Sequence, residues 1–223
     1  MKPLFQGVCT ALVTPFRLDF VHLEVYDQLL DRQLRAGVTA LVVCGTTGES
    51  ATMTDTERLD LIGHTVDYVR GRCKVIAGTG SNDTQHAVAL SAAAEAAGAD
   101  ALLVVSPYYN KATADGLLTH YSAIAGAVHI PVIVYNVPSR TGVDIPVSVY
   151  RELSKIPNIA GVKEASTDMG KISKIRAICP DDFSLWSGND DLTAPILALG
   201  GQGVISVLSN VLPEQTQALT RAA

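Results

Sequence analysis

Lys163 closes the small, apolar run of "IPNIAGVKEAS". Lysine is seldom fully buried, because an unpaired ammonium in apolar surroundings is costly. Either this side chain reaches solvent or a partner, or desolvation lowers its pKa and leaves a neutral amine. A neutral amine adds to a ketone, and the resulting Schiff base acidifies the adjacent carbon. That chemistry needs proton-transfer groups at the imine and a clamp for substrate charge. Tyr135 in "VIVYNVPSR" and Tyr109 in "SPYYN" can move protons. Thr46 and Thr47 stand in "GTTGES", a glycine-rich turn whose amides can hold an anion. Arg140 can grip a carboxylate bidentately. Taken singly, each has a plainer reading: a solvated lysine, core or interface tyrosines, a structural turn, a surface arginine. Cys44 beside Gly45 reads as a small buried hydrophobe before it reads as a nucleophile.

What sets these residues apart is their place in a repeating pattern. Apolar or β-rich runs recur in order: "GVCTALVTP", "ALVVCGTTG", "KVIAGTG", "ALLVVSPYY", "PVIVYNVPS", "IAGVKEAS", "SLWSGND" and "GVISVLSN". Helical spacing fills the intervals. Leu23, Tyr26, Leu30 and Leu34 mark one apolar face, and Leu59, Ile62, Val66 and Val69 another. Thr54 to Glu57 reads as a capping box, Gly98 closes an alanine-rich helix, and Pro146 stands where a helix can start. Near-continuous apolar strands alternating with helices predict a parallel sheet covered by helices. Eight such units predict an α/β fold, a single (β/α)8 barrel over residues 1–223. The competing open sheet would show a glycine fingerprint after the first strand, and "TPFRLDF" is none. In a barrel, active sites form at the carboxyl ends of the strands. The polar clusters follow the strands, and Lys163 is the lysine that ends one. Lys74 precedes its strand, and Lys111 lies in a loop.

Bulk properties narrow the function classes. The chain has 223 residues, 48% of them hydrophobic, enough for a sizeable core. A formal net charge of −5 with no basic block argues against nucleic acid or an anionic membrane surface as partner. No apolar run approaches a membrane span, and "MKPLFQGVCT" has no secretory pattern, so a cytoplasmic protein is expected. Cys9, Cys44, Cys73 and Cys179 are scattered, predicting reduced thiols rather than a zinc site or disulfides. The five histidines show no metal spacing and are assigned to the surface.

The motifs "GTTGES", "SPYYNK", "YNVPSRTG", "GVKEAS" and "WSGND", in this order, resemble the dihydrodipicolinate synthase group of the N-acetylneuraminate lyase family of class I aldolase-like barrels. Any one is weak; five in order, across nearly the whole chain, are specific. The resemblance implies condensation of pyruvate with aspartate semialdehyde on the diaminopimelate and lysine route. It implies that Lys163 forms the Schiff base and that Thr46 and Thr47 hold the pyruvate carboxylate. Tyr135 would transfer protons, coupled through Thr47 to a Tyr109 contributed by a neighbouring subunit of a homodimer or homotetramer. Arg140 would bind the semialdehyde carboxylate, and Gly188 and the Ile205 carbonyl would border the site. No metal or organic cofactor is implied. An acceptor that is a keto-deoxy sugar acid or N-acetylneuraminate derived is the alternative within the family, and a catalytically weak barrel scaffold the alternative outside it.

The chain departs from the family pattern in three places. The eighth helix, in "LPEQTQALTRAA", is expected to be cut short, with the family's C-terminal helical region absent. The segment "TPFRLDFVHLE" is shorter and less glycine-rich than usual. Members inhibited by lysine bind it near the positions of Ser50, Asn82 and Tyr108. They often carry histidines where this chain has Asp55 and Arg58, and a glutamate where it has His86. Such a charge set should bind an ammonium poorly, so weak or absent lysine inhibition is expected.

Overall fold

The computed structural model describes residues 3–223. Eight strands pair in chain order, all parallel, into a closed barrel. They are β1 (Gly7–Ala11), β2 (Ala40–Val43), β3 (Lys74–Gly78), β4 (Ala101–Val105), β5 (Val132–Asn136), β6 (Ile159–Glu164), β7 (Ser184–Ser187) and β8 (Gly203–Ser206), with β8 closing onto β1. The main helices are α1 (Leu23–Arg35), α2 (Asp55–Val69), α3 (Thr84–Ala96), α4 (Ala114–Gly126), α5 (Val147–Leu153), α6 (Met169–Ile178), α7 (Thr193–Ala198) and α8 (Pro213–Ala222). A small antiparallel hairpin, Phe16–Arg17 with Phe20–Val21, occupies the loop before α1.

Local sequence explains the helix ends. Thr54 and Glu57 form the reciprocal capping box of α2. Asp83 caps α3, and Gly98 beyond its end takes φ +90°. Pro146 is the N-cap residue of α5. On α1, Tyr26 and Leu30 are buried as the spacing predicts, whereas Leu23, in the first turn, is 45% exposed. The eighth helix has ten residues and runs to Ala222.

One histidine corrects the sequence reading. His120 is buried, not at the surface, and its Nδ1 lies 2.9 Å from Thr84 Oγ1 between α3 and α4. Burial pushes its pKa down to about 4, so it is a neutral imidazole packed as core. Its place at the i+3 position of the stripe Leu117, Tyr121, Ile124 was the available signal.

Alternation along each strand divides the core into two layers. Cys9, Val42, Ile76, Leu103, Ile133, Tyr135, Trp186 and Ile205 fill the barrel, while Val8, Leu41, Leu102, Val134, Val162 and Val204 pack outward with the helices. Phe5 enters from the amino-terminal end and stacks on Trp186 at 4.8 Å between ring centres. Trp186 Nε1 also donates to the Phe5 carbonyl at 3.3 Å.

Strand β6 breaks the alternation once, and the break decides where Lys163 points. Val132 pairs with Ile159, but the next rung joins Ile133 to Gly161, leaving Ala160 as an extra residue. Ile159 and Val162 both pack outward, three residues apart. Unbroken alternation from Ile159 would turn Lys163 outward as well; the bulge turns it into the barrel opposite Tyr135.

Candidate active site

At the carboxyl end of the barrel, Thr46, Thr47, Tyr135, Arg140, Lys163 and Gly188 line one cavity of about 580 Å³, with Asn189, Asp190 and Asp191 on its far wall. The turn after β2 brings the threonines, β5 brings Tyr135, and the helical turn Pro138–Thr141 brings Arg140. Strand β6 brings Lys163, and the end of β7 brings Gly188, whose N–H donates to the Glu164 carbonyl at 2.7 Å.

Lys163 is 5% exposed, so the question raised by its position in the sequence resolves toward burial. Desolvation lowers its pKa from the ordinary 10.5 to about 8. Cys9 and Asp190 pull the other way, and Arg140 adds a smaller push downward. The nearest aromatic group is the Tyr135 ring, 4.1 Å from Nζ to the centroid. Burial holds the Tyr135 phenol above its usual range, against the Arg140 charge and a hydrogen bond with the Thr46 side chain.

That hydrogen bond departs from the sequence reading, which couples Tyr135 through Thr47. Cys44 takes φ +54° and ends the regular alternation of β2, so spacing alone does not tell which threonine of the turn meets Tyr135. Tyr109 is the residue the fold does not bring in. It lies in the loop after β4, 89% exposed, its φ +75°, its N–H on the Thr141 carbonyl at 3.2 Å. Ile205 is fully buried on β8, two residues before Val207 at the cavity rim.

Asp190 is a member of the cavity wall that the sequence does not single out, although it stands at the end of the motif "WSGND". Its carboxylate accepts from Ser206 Oγ at 2.5 Å, Val207 N at 3.1 Å and Leu208 N at 3.0 Å. It therefore ties the loop after β7 to the loop after β8 while facing Lys163 electrostatically. A second groove, of about 430 Å³, lies at the opposite end between Pro131, Pro157 and Phe183. Asp182 is the single ionisable side chain among the described residues lining it, so it offers no convergent chemistry. Among the described residues, no group of three His, Cys, Asp or Glu side chains is placed to hold a metal ion.

A closed parallel barrel with a desolvated lysine at a strand's carboxyl end, under a rim of hydroxyls and one arginine, defines a class: barrels equipped to form an imine on lysine. The comparisons with known proteins narrow the class. The sequence profile of the Dihydrodipicolinate synthetase family matches residues 4–223. A 4-hydroxy-tetrahydrodipicolinate synthase of Caldicellulosiruptor saccharolyticus is 52% identical over 215 residues, which is 96% of this chain and 72% of the relative. The crystal structure of dihydrodipicolinate synthase from Aquifex aeolicus superposes with a TM-score of 0.96 at 47% identity, covering 98% of this chain and 75% of that one. A structure described as the first monomeric dihydrodipicolinate synthase variant superposes equally well, TM-score 0.96 at 44% identity, over 98% of this chain and 74% of that one. The chain belongs to the dihydrodipicolinate synthetase family.

Proposed function

We propose that this protein condenses pyruvate with L-aspartate 4-semialdehyde, through a Schiff base on Lys163, to give 4-hydroxy-tetrahydrodipicolinate. The observation that carries the reading is the buried Lys163 amine, with its pKa lowered to about 8, opening on a cavity that holds Tyr135, Thr46 and Arg140. The relatives' shared name supplies the substrates.

The chemistry follows from the groups present. The neutral Lys163 amine attacks the pyruvate ketone, and the carbinolamine loses water to give a protonated imine. Loss of a methyl proton yields the enamine, whose carbon attacks the aldehyde. The amino group of the semialdehyde then adds to the imine carbon, closing the ring and expelling Lys163. Tyr135 is the proton carrier at the imine, and the hydrogen-bonded Thr46 is its relay partner. The turn holding Thr46 and Thr47 receives the pyruvate carboxylate. Arg140, at the rim, receives the carboxylate of the second substrate. Gly188 and the Ile205 carbonyl border the bound pyruvate.

Tyr109 belongs to this reading only in an assembly of at least two chains, where its exposed ring enters a neighbour's cavity. A cytoplasmic setting is part of the same reading, supported by four free, buried cysteines. Borohydride added with pyruvate should fix a reduced pyruvyl group on Lys163 alone, detected by peptide mass. A folded sample that gives no such adduct overturns the proposal. Turnover with the semialdehyde rather than with sugars separates it from the sugar-acid aldolases.

A further inference from the structure

Behind the proposed site lies a buried polar network that the reaction does not touch. Asn136 and Glu164 directly follow Tyr135 and Lys163 and are themselves register partners on β5 and β6. Alternation turns them outward, between the strands and the helices, and both are fully buried. Asn136 Nδ2 donates to Glu164 Oε1 at 2.8 Å and to Asp144 Oδ1 at 2.9 Å, while Asn136 Oδ1 accepts from Ile145 N at 3.1 Å. Glu164 Oε1 also accepts from Ser166 N at 2.8 Å, and Oε2 from Tyr150 OH at 3.0 Å. Lys171 Nζ lies 3.8 Å from Glu164 Oε2 and pairs with Asp144.

Each bond fixes something next to the cavity. The Asn136–Glu164 bond crosses the two strands one residue past the Tyr135–Lys163 rung. Ser166 N holds the turn that leaves β6. Asp144 and Ile145 hold the far end of the segment that carries Arg140. A buried carboxylate with a lysine partner is weak evidence of added stability, since well-packed apolar side chains often serve a fold as well. What such a network does supply is a unique geometry.

We infer that Glu164, acting through Asn136, is a positioning residue that holds Lys163, Tyr135 and the Arg140 segment in mutual register. The inference rests on the reading of Lys163 as the Schiff-base residue. Glu164 touches no substrate; it governs how well the amine is aimed.

Glu164→Gln keeps the shape but removes the charge and sets an NH2 group against obligate donors, either the Lys171 ammonium or the N–H groups of Asn136 and Ser166. Glu164→Gln combined with Lys171→Met also removes the ammonium that faces position 164, leaving the half-exposed Asp144 to solvent. The measurements are the rate and final extent of pyruvate–borohydride labelling at Lys163, kcat, KM for pyruvate and melting temperature. Both variants should reach the wild-type extent of labelling, with the labelling rate and kcat lowered roughly tenfold or more, because small misalignments of reacting groups are costly. KM should change far less, and the double variant should not regain rate. Tyr150→Phe, which removes a single donor to Oε2, guards against a folding failure and should slow labelling by a smaller factor. Wild-type rates in any of the three folded variants overturn the inference and leave the Schiff-base reading standing. Failure of the wild-type protein to label at Lys163 overturns both.

Discussion

Lys163 Nζ sits 4.1 Å from the centre of the Tyr135 ring, and the two residues are register partners on adjacent strands. The ring has two opposed effects on the amine. Its face attracts an ammonium. Its bulk excludes the water that an ammonium needs. Burial, to which the ring contributes, is the largest influence on Lys163 and leaves its pKa at about 8. On the proposed chemistry, the same ring face would also meet the protonated imine.

The pH dependence follows with a definite sign. Below about pH 8 the amine is mostly ammonium, so the rate of imine formation should rise about tenfold per pH unit and level off above 8. Rapid-mixing measurements of pyruvate labelling across pH 6–10 test this; a midpoint near 10 would contradict it. Stability has the matching sign. The cost of a buried ammonium is fully present below about pH 8 and is relieved as pH rises toward the unfolded value of 10.5.

Asp190 favours the ammonium, so Asp190→Asn should shift that midpoint downward. The amide can still serve part of the bonding to Ser206, Val207 and Leu208, which keeps the loop in place. An unchanged or raised midpoint in the same rapid-mixing assay would show that Asp190 is not felt at Lys163.

Arg140→Ala should separate the two half-reactions. Losing a charge-assisted contact should lower kcat/KM for the semialdehyde roughly 10- to 100-fold. Labelling of Lys163 by pyruvate should stay within about threefold of wild type, because that step precedes the second substrate. Equal losses in both assays would place Arg140 at pyruvate instead.

Gly161 tests the barrel. A Cβ there would lie 2.1 Å from the Ser184 carbonyl oxygen, a backbone atom with no freedom to yield. Gly161→Ala should therefore cost about 2–3 kcal/mol or more, read as a lower melting temperature or denaturation midpoint. The exchange Gly63→Ala in α2, where nothing lies within 4 Å of the new atom, is the control and should be neutral or stabilising.

Lysine should inhibit weakly. Asp55 is paired with His86 Nε2 at 2.7 Å and with Arg58 Nη1 at 3.5 Å, so its carboxylate is already engaged on both sides. A steady-state assay in which sub-millimolar lysine halves the rate would overturn this.

The fold was largely legible because its signals are local. Eight apolar runs became eight strands, and Thr54, Glu57 and Gly98 ended their helices as their chemistry dictates. Lys163 was legible because it stands at a strand end. Which way it points was not, since the extra Ala160 that turns it inward looks like any other strand residue. The pairing of Tyr135 with Thr46 depends on a kink at Cys44, and the burial of His120 on a neighbouring helix. Tyr109 stays outside because it sits on an exposed loop after β4. The role of Glu164 was hidden beside a louder neighbour, because a carboxylate next to a lysine in sequence reads as a surface pair.

The stack of Phe5 on Trp186 makes the barrel a blind well. Trp186 pairs with Lys163 across the strands, so the floor begins close to the reactive amine. Everything must enter and leave by the same mouth, which fixes a queue. On the proposed chemistry, the molecule that bonds to lysine would have to arrive first, and a second one resting at Arg140 would stopper the well behind it. Water released by the imine must escape before that happens. Two-substrate kinetics should accordingly show compulsory order, and an excess of the second substrate should inhibit by taking its place too soon.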